Sequence, residues 1–138
     1  MNQTSRGTWR VNEDGDFVCI ARVTNKAGTL VTQATVTSIA LSVTQQDDDD
    51  ETAADADATP YTATPVVADT IYDTAQTSTT LWPVTEFPDG YNFLYVVPAA
   101  AVPVGAKYYN AEFTLTMNPS GTIQVPFRGI YTEPLLRS

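Results

Sequence analysis

The sequence predicts an all-β fold, an antiparallel sandwich of about seven short strands, with a closed barrel as the alternative. Three observations carry this. Between residues 103 and 131, Tyr109, Ala111, Phe113, Leu115 and Met117 alternate with Lys107, Asn110, Glu112, Thr114 and Thr116. After the turn signal Asn118-Pro-Ser-Gly121, Ile123, Val125, Phe127, Gly129 and Tyr131 alternate with Thr122, Gln124, Pro126 and Arg128. Period-two alternation on both sides of a turn is a β-hairpin with one buried face. Second, shorter runs of the same kind recur along the chain, separated by Gly, Pro, Asn and Asp. Third, no long stretch carries helical periodicity, and no internal repeat is visible.

The elements follow in order. Residues 1–13 are polar and aperiodic apart from Trp9 and Val11, and read as an extended arm or a ragged first strand. Asn12-Glu-Asp-Gly-Asp16 is a turn. Phe17 to Thr24 is a strand, with Phe17, Cys19, Ala21 and Val23 on one face. Asn25-Lys-Ala-Gly28 turns the chain, and Gly28 supplies the permissive backbone. Ala34 to Thr44 is the next strand, with Ile39, Leu41 and Val43 sharing a face.

Residues 45–59 are of low complexity and hold Asp47, Asp48, Asp49, Asp50, Glu51, Asp55 and Asp57. Like charges repel and no large apolar residue anchors the window, so a mobile acidic loop is expected. Pro60 to Val67 and Asp69 to Tyr72 read as short extended pieces, and Pro65 favours an edge. Tyr91 to Val97 is a strand that places Tyr91, Phe93, Tyr95 and Val97 together. Pro98 to Gly105 is a crossover in which Pro98 can start one helical turn through the alanines. The hairpin completes the domain, taken as residues 14–131. Residues 132–138 form a short tail.

A chain of 138 residues is one domain and needs neither disulfide nor metal to fold. Its formal charge is −9, from 16 acidic against 7 basic residues, without the basic stripe of a nucleic-acid binder. No histidine is present, which removes the commonest general base and the commonest zinc ligand. The single cysteine, Cys19, reads as a small buried hydrophobe rather than a reactive thiol. No apolar run is long enough to span a membrane, and the N-terminus does not read as a secretory signal.

Motifs that could carry chemistry fail on spacing. Counting an EF-hand loop from Asn12 puts Phe17 where glycine is needed and Val23 where glutamate is needed. Asp47 to Glu51 is a consecutive run, not a converging ligand set. Glu86 and Glu112 offer no paired-carboxylate cleft. Trp82, Tyr91, Phe93 and Tyr95 could stack sugars, but the alternation of the last three favours core packing. Phosphate loops, Cys-x-x-Cys pairs and nucleophile elbows are absent. No catalytic residue, cofactor or metal is therefore expected, and the chain reads as a non-enzyme.

Val102, Pro103, Gly105 and Tyr108 resemble the tyrosine corner of immunoglobulin-like domains, which makes the expected sandwich Ig-like. Three longer segments resemble small Ig-like structural proteins of tailed bacteriophages. They are Asp16 to Val31 with Ala34 to Ile39; Trp82 with Asp89 to Phe93 and Val97-Pro98; and Tyr108 to Leu115 with Ser120 to Ile123.

The resemblance implies a virion structural protein, and within that group a capsid decoration, or cement, protein. The implied partners are the major capsid protein and further copies of the chain, as dimer or trimer, without nucleic acid or membrane. The implied location is the capsid exterior, after synthesis in the host cytoplasm. Arms carrying Arg6, Trp9, Arg10, Leu135, Leu136 and Arg137 would contact the shell, because Trp and Arg are frequent interface anchors. A tail, neck or baseplate component is the alternative. So is a host-surface or glycan-binding module, in which Trp82 and Phe87 would be exposed.

Overall fold

The computed structural model describes residues 3–7, 10–12, 16–46, 60–77, 89–103 and 107–133. Nine strands lie among them: β1 (Gln3–Gly7), β2 (Arg10–Asn12), β3 (Phe17–Val23), β4 (Val36–Gln45), β5 (Tyr61–Ala63), β6 (Ile71–Gln76), β7 (Tyr91–Val97), β8 (Tyr108–Met117) and β9 (Thr122–Glu133). They form two sheets, ordered β1-β3-β7-β6 and β2-β9-β8-β4-β5. In immunoglobulin lettering these are A-B-E-D and A′-G-F-C-C′, so the chain is an Ig-like sandwich and not a closed barrel. Neighbouring strands run antiparallel except β2, which lies parallel to β9.

The strand count exceeds the expected seven for two reasons. The first strand switches sheets: β1 pairs with β3, and β2 crosses to β9. Gln3–Gly7 and Arg10–Asn12 thus each contribute an edge to one sheet. The second addition is β5, three residues long, paired with Leu41–Val43 of β4.

The core lies between the sheets and is built by alternation. Phe17, Cys19, Ala21 and Val23 of β3 face Ile39, Leu41 and Val43 of β4 and the buried residues of β8 and β9. Its centre is aromatic. Phe113 meets Phe93 edge-on at 4.8 Å and Phe127 edge-on at 5.8 Å. Tyr95 stands edge-on to Phe113 at 5.7 Å. Each such contact adds about 0.5–1.5 kcal/mol beyond area burial. Core packing is therefore the role of Phe93, and Tyr95 packs at the margin of the same core.

The expected faces need two corrections. Tyr91 does not join Phe93, Tyr95 and Val97. It packs with Ile20, Val18, Tyr72 and Leu94 in a second, smaller cluster on the outer side of the first sheet. The cause is Asn92, which is fully buried and hydrogen-bonds to Val23 and Val31, breaking the alternation of β7. In β9 the register shifts between Tyr109↔Ile130 and Ala111↔Phe127. Two residues of β9, Arg128 and Gly129, oppose the one residue Asn110, which is a β-bulge. Beyond it Ile130 and Thr132 are buried, while Tyr131 is left beside Tyr108 on the outer side.

Two smaller expectations also shift. The segment read as extended around residue 67 contains a helical turn, α1 (Val67–Thr70). Asp69 N–H and the Thr70 hydroxyl both donate to Val66 O, at 3.1 and 2.9 Å, closing the turn locally. Residues 45 and 46 belong to the sheet: Gln45 ends β4, and Gln46 is buried with its N–H on Tyr108 O at 2.8 Å. The rest of the expected acidic loop, with Asp47, Asp48, Asp49, Asp50 and Glu51, lies outside the described residues. The expected helical turn after Pro98 is present as a 3-10 turn, Ala99–Ala101, whose Ala99 N–H is bound by Asp16 Oδ1 at 2.8 Å.

Candidate functional site: the outer face of the second sheet

Outward positions of β4, β8 and β9 are mostly small or hydroxylated: Ser38, Ala40 and Ser42, then Thr114 and Thr116, then Thr122 beside the amide of Gln124. Thr114 donates its hydroxyl to Gln124 Oε1 at 2.8 Å across the strands. Glu112 and Arg128 approach to 3.7 Å, an exposed pair of little energetic weight.

One end of this face differs. Tyr108 pairs with Tyr131, and Tyr131 pairs with Arg10, so strand register puts these residues in one row across β8, β9 and β2. Gln46 extends the row on the other side of Tyr108. The two rings lie 5.0 Å apart, tilted at 55°. Tyr108 is 37% exposed, one of three large apolar residues that stand out into solvent among the described residues. Arg10 occupies the next register position beyond this aromatic pair. Gln46 Nε2 is held by Thr44 O and Oγ1, each at 3.2 Å, and its buried Oε1 has no hydrogen-bond partner.

The base of this row is clamped from below. Buried Thr132 donates its N–H and hydroxyl to Lys107 O, at 2.9 and 3.0 Å, and its Oγ1 accepts Lys107 N–H at 3.0 Å. Residue 132, expected to begin a tail, is thus part of the packed domain. Of the tyrosine-corner pair, Tyr108 is the ring facing Tyr131, and Gly105 lies outside the described residues. It is the adjacent Tyr109 that is buried, with its hydroxyl 3.4 Å from Gln45 Oε1.

The structure thus brings Arg10 and Tyr108 into one row, a proximity that neither sequence position announces. Arg6 sits in β1, in register with Ile20 on the first sheet. Trp9, Leu135, Leu136 and Arg137 lie outside the described residues, as do Trp82, Glu86 and Phe87. Tyr131 was missed as a surface residue because it was assigned to the buried face. Gly129, a glycine inside a strand pattern, is the signal that could have found the bulge.

Cys19 is buried, and burial pushes its thiol far above the ordinary range, so it is held as the neutral thiol. The Tyr95 hydroxyl is also raised, by burial first and by Tyr61 second. No cluster of three or more metal-ligating side chains occurs among the described residues, and none of the helices there is long and apolar enough to cross a membrane.

An open cleft of 520 Å³ lies at one end of the sandwich between the β3–β4 loop and the tip of the β8–β9 hairpin. Asn25 Oδ1 braces its first wall by accepting the N–H groups of Ala27 and Thr29 at 2.9 and 3.0 Å. Asn118 N–H ties the hairpin tip to Thr35 O at 2.9 Å.

The geometry defines an Ig-like sandwich with an aromatic row at one end of its second sheet. Comparison of the chain with protein-family models, with curated proteins and with solved structures gives no match.

Proposed function

We propose that this chain is a structural protein of a tailed-bacteriophage virion, a decoration protein that binds the outer capsid surface and stabilises the shell through buried area. The observation that carries the reading is the register row of Arg10, Tyr131 and Tyr108 on the second sheet, residue types that are frequent in interface anchors. Support also comes from the segments that resemble phage Ig-like structural domains. Their described parts cover β3, most of β8, and portions of β4, β7 and β9, strands that build the sandwich core.

In this reading the major capsid protein is the partner, and the aromatic row is pressed against it. The hydroxyl-rich remainder of the face supplies adaptable polar contacts around that anchor. The acidic composition suits a protein on the outside of the particle, away from the genome.

The test is to mix the purified protein with capsid shells that lack it and image them. Regular density on the shell lattice is the expected result. Density confined to the tail or portal vertex would move the protein to the tail, neck or baseplate group. No association with the particle would overturn the reading.

A further inference from the structure

The cleft between the β3–β4 loop and the tip of the β8–β9 hairpin is separate from the aromatic row. Register sets Tyr108 against Tyr131 at one end of β8 and β9, and Thr116 against Thr122 at the other. The row and the cleft therefore sit at opposite ends of the same two strands. In immunoglobulin lettering the cleft lies between the B–C and F–G loops, at the end of the sandwich where variable domains carry their binding loops. That likeness concerns place alone, and the lining decides the chemistry.

Both walls are built by local hydrogen bonds. Asn25 N–H donates to Thr29 O at 2.9 Å and Gly28 N–H to Asn25 O at 3.0 Å, while Asn25 Oδ1 accepts from Ala27 and Thr29. In the hairpin Met117 N–H donates to Gly121 O at 2.9 Å, and Asn118 N–H ties the tip to Thr35 O. Val31, which also lines the cleft, is pinned through its carbonyl by Asn92 Nδ2 at 2.8 Å. Walls fixed in advance lower the ordering cost of binding. Gly121, at φ +94°, has nothing within 4 Å of an added Cβ, so the cleft stays open beside it.

The lining pairs an apolar base with a polar rim. Val31 and Ile123 are buried, and Leu30 and Met117 are half-buried. Asn25, Thr29, Asn118 and Ser120 are exposed. No aromatic residue occurs among the described residues of the lining, so a sugar or a base finds no ring there to stack on. Charge separates this cleft from the rest of the surface. The chain carries 16 acidic residues, yet the described lining holds none of them and one cation, the exposed Lys26. A volume of 520 Å³ is that of a small-molecule site.

We infer that this cleft binds a small aliphatic carboxylate, its hydrocarbon chain on Leu30, Val31, Met117 and Ile123 and its carboxylate at Lys26. Burial of the hydrocarbon chain supplies the affinity. Lys26 supplies the sign, since the net charge of the protein repels anions elsewhere.

Isothermal titration calorimetry with octanoate tests this. Octylammonium has the same chain with the opposite charge, and acetate has the charge without the chain. Octanoate is expected to bind at one site with a dissociation constant of about 0.1–1 mM. Octylammonium and acetate are expected to bind at least about tenfold more weakly. A net charge of −9 on its own favours octylammonium, so the reverse order reports the cleft and not the overall field. Backbone amide shifts on adding octanoate should concentrate in residues 25–31 and 117–123. Lys26→Glu, on an exposed position, should stay folded by circular dichroism and weaken octanoate binding by about tenfold. Leu30→Ser should weaken it by a similar factor through lost apolar contact. No saturable octanoate binding, octylammonium bound as tightly by the wild type, or unchanged octanoate affinity in folded Lys26→Glu would overturn the assignment. Shell binding through the row at the other end is measured separately, so the virion reading stands or falls on its own test.

Discussion

The side chain of Asn92 acts as the strand partner of Val23. Its Oδ1 accepts the Val23 N–H at 2.7 Å, and its Nδ2 donates to Val23 O at 3.0 Å and to Val31 O at 2.8 Å. The backbone ladder between β3 and β7 ends one step earlier, at Ala21↔Phe93. A primary amide carries the same donor and acceptor as a peptide unit, so it continues the ladder and also holds the returning chain at Val31. Asn92→Ala would leave the buried Val23 N–H without its partner and open a cavity. The expected loss is about 3 kcal/mol or more of unfolding free energy, read from urea denaturation. Asn92→Asp should be no better, since it removes both donated bonds and buries a carboxylate. A loss under about 1 kcal/mol for the alanine variant would sink this account.

Two glycines with nearly equal backbone angles should respond differently to alanine. Gly28 has φ +83° and nothing within 4 Å of an added Cβ. Gly90 has φ +84°, but its Cβ would lie 2.7 Å from Gln76 O and 3.1 Å from Ala75 Cβ. At Gly28 only the left-handed backbone is penalised, by about 1–2 kcal/mol. At Gly90 the backbone of β6 must also move, and the Asp89 and Gly90 carbonyls that bind Arg22 move with it. Gly90→Ala is expected to cost about 3 kcal/mol or more. Equal thermal shifts for the two variants would show that the close approach to Gln76 has no energetic consequence.

The hairpin and the strands near residues 17, 36 and 91 were legible in the sequence because alternation is a local property. Ile39, Leu41 and Val43 could be placed inward from their spacing alone. What stayed hidden depends on long-range pairing. Tyr91 follows the alternation of its strand in sequence, but the amide of Asn92 is claimed by backbone 69 residues away, and the face changes there. Tyr131 fell on the wrong side because the bulge at Arg128 and Gly129 is one residue of offset, visible only once β9 is set against β8. The candidate contact row suffered most. Tyr108, Tyr131 and Arg10 come from three strands, and only the register brings them together. The resemblance implied Arg10 as a contact residue without saying what it would stand beside.

Cys19 should make the protein sensitive to alkali. Burial raises the folded thiol far above its ordinary value. As pH climbs through the ordinary thiol range, the unfolded chain ionises and the folded chain does not, so the unfolded state gains. The contribution is fully present below pH about 8 and is lost as pH rises toward the raised folded value. Between pH 8.5 and 10 the expected loss is about 1.5 kcal/mol from this group, because the slope reaches about 1.4 kcal/mol per pH unit only once the unfolded thiol is fully ionised. Urea midpoints across that interval should fall less in Cys19→Ala than in the wild type. The native thiol should also resist alkylation by iodoacetamide until denaturant is added. Rapid labelling of the folded protein would contradict the burial.

Contact and folding can be separated at the N-terminal edge. β1 is paired along its whole length, Gln3–Gly7 against Cys19–Val23, and β2 lies against Tyr131–Glu133. Deleting residues 1–12 therefore removes an edge from each sheet and uncovers strands beneath, so the truncated chain should unfold at lower denaturant. Loss of shell binding on truncation would then say nothing specific about contact. Tyr108→Ala and Arg10→Ala are the sharper changes. The Tyr108 ring is partly exposed and its removal leaves the ladder intact, so stability should change by less than about 1 kcal/mol. If the row is the anchor of the shell contact, each substitution should weaken binding to shells by at least about tenfold. The double variant should lose more than either, since the two positions flank Tyr131 in one row. Full binding by a folded Tyr108→Ala, Arg10→Ala double variant would remove the second sheet from the contact and leave the shell to be gripped elsewhere.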